Sequence, residues 1–163
     1  LTRSLATMRQ ASEAVLWLSR PADKAEAFDP PDICEVMHDV TAALHGEARA
    51  RHIEFDIQCE TQPGPCLPRS VLGVILNHIA RNAVRHSGGG VVQLIARPRQ
   101  IVVSDDGSGF PENELERIQH GGALDGPGGS GLGLLLCRRL AERFGMSLTV
   151  DNHGTGARVQ ISF

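Results

Sequence analysis

A chain of 163 residues, 41% of them apolar, has the size and apolar content of one globular unit with a core of its own. Against 19 acidic residues stand 16 basic ones, and a net charge of -3 excludes a field broad enough to hold nucleic acid or an anionic membrane, so any phosphate binding must be local. No apolar run reaches the length of about 18 residues that a spanning helix needs, and no signal-peptide pattern occurs, so this piece is expected neither to cross a membrane nor to be exported by itself.

From the start at Leu1 rather than Met, a fragment of a longer protein is the expectation. Leu1, Leu5, Met8, Ser12 and Val15 alternate at spacings of four and three, the rhythm of a packed helix seam, and the apolar Leu16, Trp17 and Leu18 end the stretch. Two readings stand: an amphipathic helix folded back on the domain, or half of a helical hairpin whose partner is elsewhere. Pro21, Pro30 and Pro31 make residues 21–32 a linker, and Asp32 is placed to cap the next helix. That helix is predicted over 33–50, with Val36, Val40, Ala43 and Leu44 on one face. His52 to Ile57 alternates as a strand does, and Pro63, Gly64, Pro65 and Pro68 then mark a loop, Pro68 falling in the first turn of a long helix to His86.

After Gly88-Gly89-Gly90, strands are predicted at Val91–Ala96 and Ile101–Ser104, then a Gly-rich stretch enclosing a short helix, Glu112 to Gln119. A helix from Leu132 to Phe144 and strands near 147–150 and 157–163 close the chain. The order α-β-α-β-β-α-β-β does not let helices cover both faces of a parallel sheet; it predicts an α/β sandwich of two layers, a mixed and largely antiparallel sheet with helices on one face. Cys34, Cys59, Cys66 and Cys137 form no C-x-x-C pair and no zinc spacing, and the seven His form no metal cluster. Free thiols in a reducing compartment are the expectation.

Three separated fragments carry the chemistry. On the helix ending at His86, the residues His78, Asn82 and Arg85 stand at i, i+4 and i+7 on one stripe, while Leu72, Leu76, Ile79, Ala80 and Ala83 form an apolar one. An amide oxygen can ligate Mg²⁺, and a guanidinium one turn on can hold a phosphate; without the rest of the chain, the same stripe could be a solvated helix face. At the end of a strand, Asp105 can accept a hydrogen bond from an exocyclic amine and so select adenine over guanine, and Gly107 and Gly109 let the backbone approach a ligand. Asp106-Gly107 could equally be a hairpin turn. Gly129, Gly131 and Gly133 lead into a helix N-terminus, where unpaired N–H groups favour phosphate. A G-x-G-x-x-G pattern at Gly126–Gly131, with Asp151 twenty residues on, lacks the preceding strand that a dinucleotide fold requires, and no P-loop is present. His38-Asp39 resembles a phosphoacceptor pair but lies on a helix that should support the sheet.

Asn82-Ala83-Val84-Arg85-His86, Asp105-Asp106-Gly107-Ser108-Gly109 and Gly129-Ser130-Gly131-Leu132-Gly133-Leu134 resemble, in order and spacing, the N, G1 and G2 boxes of the catalytic and ATP-binding domain of sensor histidine kinases. That family belongs with DNA gyrase, the heat-shock chaperone ATPases and the mismatch-repair ATPases. The helix from Leu132 to Gly145 resembles the G2 helix, and Gly154-Thr155-Gly156-Ala157 the G3 turn; the likeness spans residues 28–163. It implies a Bergerat-type ATP-binding fold and the cofactors ATP and Mg²⁺, with Asn82 on the metal, Arg85 on phosphate, Asp105 on the adenine amine, and His86, Gly107 and Gly109 also binding the nucleotide. Gly129, Gly131, Leu132 and Gly133 would hold the phosphates through their backbone. By the same resemblance residues 1–20 are a remnant of the dimerisation and phosphotransfer domain, 21–32 a linker and 33–163 the catalytic domain. It further implies a cytoplasmic protein histidine kinase of two-component signalling, its parent a homodimer and membrane-anchored or not. The γ-phosphate would pass to a His on a separate helical domain, of the same or a partner chain, and on to a response-regulator receiver domain.

Two positions depart from the family pattern. Hydrolases resembling gyrase place a Glu four residues before the box Asn, and kinases generally an Asn; this chain has His78, so the general base of a dedicated ATPase is missing. Mg²⁺ prefers oxygen, which argues against direct coordination by the imidazole, and Asn77 stands 100 degrees round the helix. Between Asn113 and Ser130 no aromatic residue is available to pack a lid, so the isolated piece is expected to bind nucleotide weakly. The alternatives are a degenerate nucleotide-binding regulatory module and an anti-sigma-type Ser kinase of the same superfamily.

Overall fold

Helices and strands form where periodicity and caps place them. The computed structural model describes residues 2–20, 27–60, 63–120 and 132–163. Along the chain these are α1 (Thr2–Ser19), α2 (Ile33–Ala50), β1 (Ile53–Cys59), α3 (Arg69–His86), β2 (Gly90–Arg97), β3 (Gln100–Asp105), α4 (Glu112–Gln119), α5 (Leu132–Arg143), β4 (Ser147–His153) and β5 (Gly156–Ser162). The five strands run in the order β1-β2-β3-β5-β4, with β1 parallel to β2 and every other pairing antiparallel. This is the expected mixed sheet, covered by helices on one face. No helix among the described residues is long and apolar enough to cross a membrane.

The two faces of the sheet differ as their side chains do. Leu72, Ile75, Leu76 and Ile79 of α3 lie fully buried over Val92, Leu94, Ile101, Val103 and Ile161. The opposite face is polar: Gln93 donates to Asp56 across the β1–β2 pair at 3.0 Å, and Arg158 grips Asp151 with bonds of 2.6 and 2.9 Å. That engagement of Asp151 removes the acid that a dinucleotide-type reading of the Gly126–Gly131 pattern would need; the pattern itself lies outside the described residues. α2 begins as expected, Asp32 Oδ1 accepting the Glu35 amide at 3.1 Å. Its inner face differs in one residue: Ala43 is exposed, because the buried stripe runs through Ile33, Met37, Val40, Thr41, Leu44 and Ala48. The Thr41 hydroxyl, buried there, donates to Met37 O at 3.0 Å. Pro68 is the N-cap of α3 rather than a residue of its first turn.

The cysteine expectation is corrected. Cys34 in the first turn of α2 and Cys59 at the end of β1 form a disulfide with Cα atoms 5.7 Å apart. α2 runs out, β1 runs back beside it, and the two ends meet, a pairing that spacing along the chain does not reveal. Cys66 and Cys137 are free, the first exposed and the second buried. Burial pushes the Cys137 thiol up to about 12, and its S–H points at Ile75 O, 3.9 Å away, so it acts as a core group joining α5 to α3.

One side of α1 packs against the domain. Ala14 is buried against the domain, and Trp17, Phe28 and Phe144 pack edge to face with centroids 6.1 to 6.5 Å apart. Arg143 of α5 donates to the carbonyls of Leu18 (3.2 Å) and Arg20 (2.6 Å), satisfying the end of α1 from another helix. Met8, Val15 and Leu16, however, remain 66%, 52% and 62% exposed.

Candidate functional site

The candidate residues fall into two groups of contacts: His78 of α3 meets Gly133 in the first turn of α5, and the end of β3 meets the end of α3 and the start of β5. α3 places its apolar stripe as expected: Leu72, Leu76, Ile79, Ala80 and Ala83 are buried, together with Val71, Ile75 and Val84. The polar stripe, in contrast, is divided among neighbours. Asn82 is half-buried and makes no side-chain hydrogen bond among the described residues. Arg85 leans toward α2, with Nε 3.6 Å from Glu47 Oε1. His78 faces α5 and lies directly on Gly133. A Cβ at Gly133 would fall 1.6 Å from His78 Nε2 and 2.1 Å from Cε1, so the imidazole occupies the space that any other residue would require. Asn77, which helical geometry separated from this stripe, has a buried Oδ1 with no hydrogen-bond partner.

His78 is neutral in this position. Burial, with the charges of Arg81 and Arg85 added, lowers its pKa from 6.5 to about 4. The unfolded chain takes up a proton near 6.5 and the folded chain only near 4, so the unfolded state binds more protons between these values and stability falls as pH drops through them. Urea denaturation should show a loss of up to about 3 kcal/mol over that window, beyond the loss seen in His78→Asn. Equal slopes for the two proteins would contradict the burial of a neutral imidazole.

Asp105 closes β3 and is fixed from two sides. Its Oδ1 accepts the amides of Gly107 (2.9 Å) and Ala157 (3.4 Å), and Oδ2 has no donor among the described residues. The backbone leaves this arrangement room only because Gly156 has no side chain: a Cβ there would lie 1.8 Å from Asp105 O. Asp106-Gly107 is not a hairpin turn, since β3 continues to α4 and pairs with β5 instead. Gly107 is buried against the His86 carbonyl, which a Cβ would approach to 2.1 Å, and Gly109 takes φ +72° beside Asn152. The glycines of this loop therefore serve the chain's own close packing as well as any ligand. His86 itself is exposed at the end of α3.

Asp106, Asn152 and Glu47, none of them among the expected site residues, also shape this region. Asp106 ties three elements together: Ser87 Oγ at the end of α3 donates to its Oδ1 (2.5 Å) and the Val91 amide of β2 to its Oδ2 (3.1 Å). The Ser87 bond is the main reason that its carboxyl lies below the usual range. Asn152 of β4 exchanges two bonds of 2.8 Å with the backbone of Phe110, holding the far side of the loop. Glu47 pairs with Arg81 (3.8 Å) as well as Arg85. Gly129 and Gly131 lie outside the described residues. Leu132 and Gly133 open α5, whose first amides have no intrahelical acceptor and whose Leu134, Cys137, Leu140 and Ala141 are buried. His38 is exposed on α2, and Asp39 beside it is held by Arg69.

A family model described as histidine kinase-, DNA gyrase B- and HSP90-like ATPase matches residues 69–163. The sensor-type histidine kinase PrrB of Mycobacterium tuberculosis is 34% identical over 140 residues, which cover 78% of this chain and 30% of that protein. The alginate biosynthesis sensor protein KinB of Pseudomonas aeruginosa is 34% identical over 121 residues, or 69% of this chain and 20% of that protein. Among solved structures, full-length ShkA in complex with AMPPNP superposes with a TM-score of 0.79 at 25% identity, over 97% of this chain and 35% of that one. The chain thus spans about a third or less of the length of these relatives.

Proposed function

The chain belongs to the histidine kinase-, DNA gyrase B- and HSP90-like ATPase family, and from that premise we propose that it is the ATP-binding catalytic domain of a two-component histidine kinase. The observation that carries the proposal is the placing of Asp105 at the end of β3: one carboxylate oxygen is held by two backbone amides, and the other has no donor among the described residues. The free oxygen suits the exocyclic amine of adenine. Asn82 and Arg85 stand on α3, and the first amides of α5 have no acceptor within the helix. Adenine at Asp105 and phosphates between Asn82, Arg85 and Gly133 fill this arrangement from one end to the other, and the AMPPNP-bound relative supports it.

Among the described residues no group of three or more His, Cys, Asp or Glu could hold a metal ion alone. An ion shared between one amide oxygen and a triphosphate fits that donor set, and Asn82 is the residue that would hold Mg²⁺. When bound, Mg²⁺ supplies positive charge that neutralises the transferring phosphoryl group. Arg85 adds its guanidinium to the same end, and Asp105 fixes the base so that the γ-phosphate is aimed in line at an imidazole outside this chain. His78, neutral and wedged on Gly133, orders the start of α5 and does not act as a base toward water. For the domain division we propose that α1 belongs to the dimerisation and phosphotransfer helices, a reading supported by its exposed Met8, Val15 and Leu16, with 21–32 as linker and 33–163 as catalytic domain. The partners are a phosphoacceptor His domain and a response-regulator receiver domain, in a cytoplasmic part of a homodimeric parent.

Replacing Asn82 with Ala should weaken Mg-ATP binding by at least about tenfold in calorimetry, the loss of one charge-assisted contact, whereas His78→Ala should change it far less. Equal affinities for Asn82→Ala and the unaltered protein would sink the metal assignment. A second reading, a nucleotide-responsive module without phosphotransfer, is favoured by the imidazole at position 78. Transfer of labelled γ-phosphate to an acid-labile phosphohistidine in the full-length protein separates the two.

A further inference from the structure

Glu47 stands on the last turns of α2, facing α3, with its side chain only 18% exposed. Its two oxygens are divided between two arginines one helical turn apart: Oε1 is 3.6 Å from Arg85 Nε and Oε2 is 3.8 Å from Arg81 Nε. Both separations exceed a hydrogen bond, so charge and packing hold the trio. Without the carboxylate, two guanidinium groups at i and i+4 would repel each other and, with Arg81 15% and Arg85 29% exposed, would be poorly hydrated. Arg81 Nε is buried and has no hydrogen-bond partner, so Glu47 is the group that offsets its charge.

The geometry of Arg85 is the informative part. Glu47 addresses it through Nε, the flank of the guanidinium, and the terminal Nη groups have no acceptor among the described residues. A carboxylate that merely quenched Arg85 would be expected to give it both oxygens, as Asp151 does to Nε and Nη2 of Arg158, whereas Glu47 gives it one and turns the other to Arg81. Just past the end of α2, Nη1 of its C-cap residue Arg51 donates to the Arg85 carbonyl at 3.3 Å. The end of α2 therefore holds Arg85 twice, by its backbone and by its side chain, and leaves the donor fork free. We infer that Glu47 is a positioning residue which orients Arg85 toward the phosphates of a bound nucleotide. This rests on the nucleotide-binding reading given above.

Electrostatics alone predicts the opposite sign, which makes the test sharp: neutralising a carboxylate near a phosphate site strengthens anion binding. The experiment is Mg-ATP titration by calorimetry of the whole chain carrying Glu47→Gln, Glu47→Asp, Arg85→Ala and the Glu47→Gln/Arg85→Ala pair, with thermal melts of each. Positioning predicts that Glu47→Gln weakens binding about tenfold, that Glu47→Asp restores most of it, and that the pair binds no worse than Arg85→Ala alone. Unchanged or tighter binding by Glu47→Gln would overturn the inference, as would additive losses in the pair. A lowered melting temperature with unchanged affinity would do the same, because it would mark a purely structural ion pair. Should the unaltered chain bind no Mg-ATP at all, the nucleotide reading fails first, and this inference with it.

Discussion

Gly133→Ala is expected to destabilise the domain and to remove most of its nucleotide binding, and a second substitution, His78→Ala, is expected to restore much of both. The added Cβ would sit 1.6 Å from Nε2, 2.1 Å from Cε1 and 2.8 Å from Cδ2 of His78, so a whole edge of the ring is in the way. An imidazole has two side-chain torsions, and this one is mostly buried beside two arginines. Either the ring leaves its place or the first turn of α5 moves, an overpacking cost of about 1 to 3 kcal/mol. On an unobstructed helix, Gly to Ala would instead gain up to about 1 kcal/mol from propensity. The sign therefore separates the steric account from the propensity account. Urea denaturation of the four proteins in the cycle measures it, and independent, additive effects of the two substitutions would refute the contact.

Asp105→Asn is expected to invert base preference. Asn keeps the size of the side chain and an oxygen for the Gly107 and Ala157 amides, 2.9 and 3.4 Å away, while the free oxygen becomes an NH₂ donor. An adenine amine then meets a donor instead of an acceptor and loses a charge-assisted bond worth about 1.5 to 3 kcal/mol, roughly ten- to a hundredfold in affinity. A guanine carbonyl at the same place gains a donor. Competition between Mg-ATP and Mg-GTP for the variant reads the ratio directly. If that ratio stays at its unaltered value, Asp105 does not read the base and the orientation proposed for the nucleotide is wrong.

Local signals carried most of the fold. α2 (Ile33–Ala50) and α4 (Glu112–Gln119) begin and end where caps and turn residues predict, because a helix boundary depends on atoms within four residues of it. The first four strands run one to three residues longer than their apolar alternation suggests, and the fifth is shifted by one, since ladder pairing with a neighbour recruits residues such as Arg97 and Gln100 that have no apolar signal of their own. Ala43 was misplaced for a related reason: apolar spacing admits two overlapping stripes, and the packing of α2 on α3 and β1 chose the one through Met37 and Thr41.

The candidate site was legible as a set of residues but not as a set of contacts. Asn82, Arg85, Asp105 and the glycines are recognisable because their types suit phosphate, metal and base. Nothing in their spacing indicates that Glu47 would share itself between Arg81 and Arg85, or that Asp106 would fasten Ser87 and Val91. The Cys34–Cys59 pair belongs to the same class, since it depends on α2 and β1 lying side by side. The amino-acid order by itself determined the elements, the two-layer class and the chemistry available, because these follow from periodicity, capping and side-chain type within short windows. Only the tertiary structure decided which neighbour each polar group faces: His78 pressed on Gly133, Arg85 held from α2 and one oxygen of Asp105 left open. Such contacts join residues up to 55 positions apart, as His78 and Gly133 are, and are selected by how buried surfaces fit rather than by any local preference of the chain.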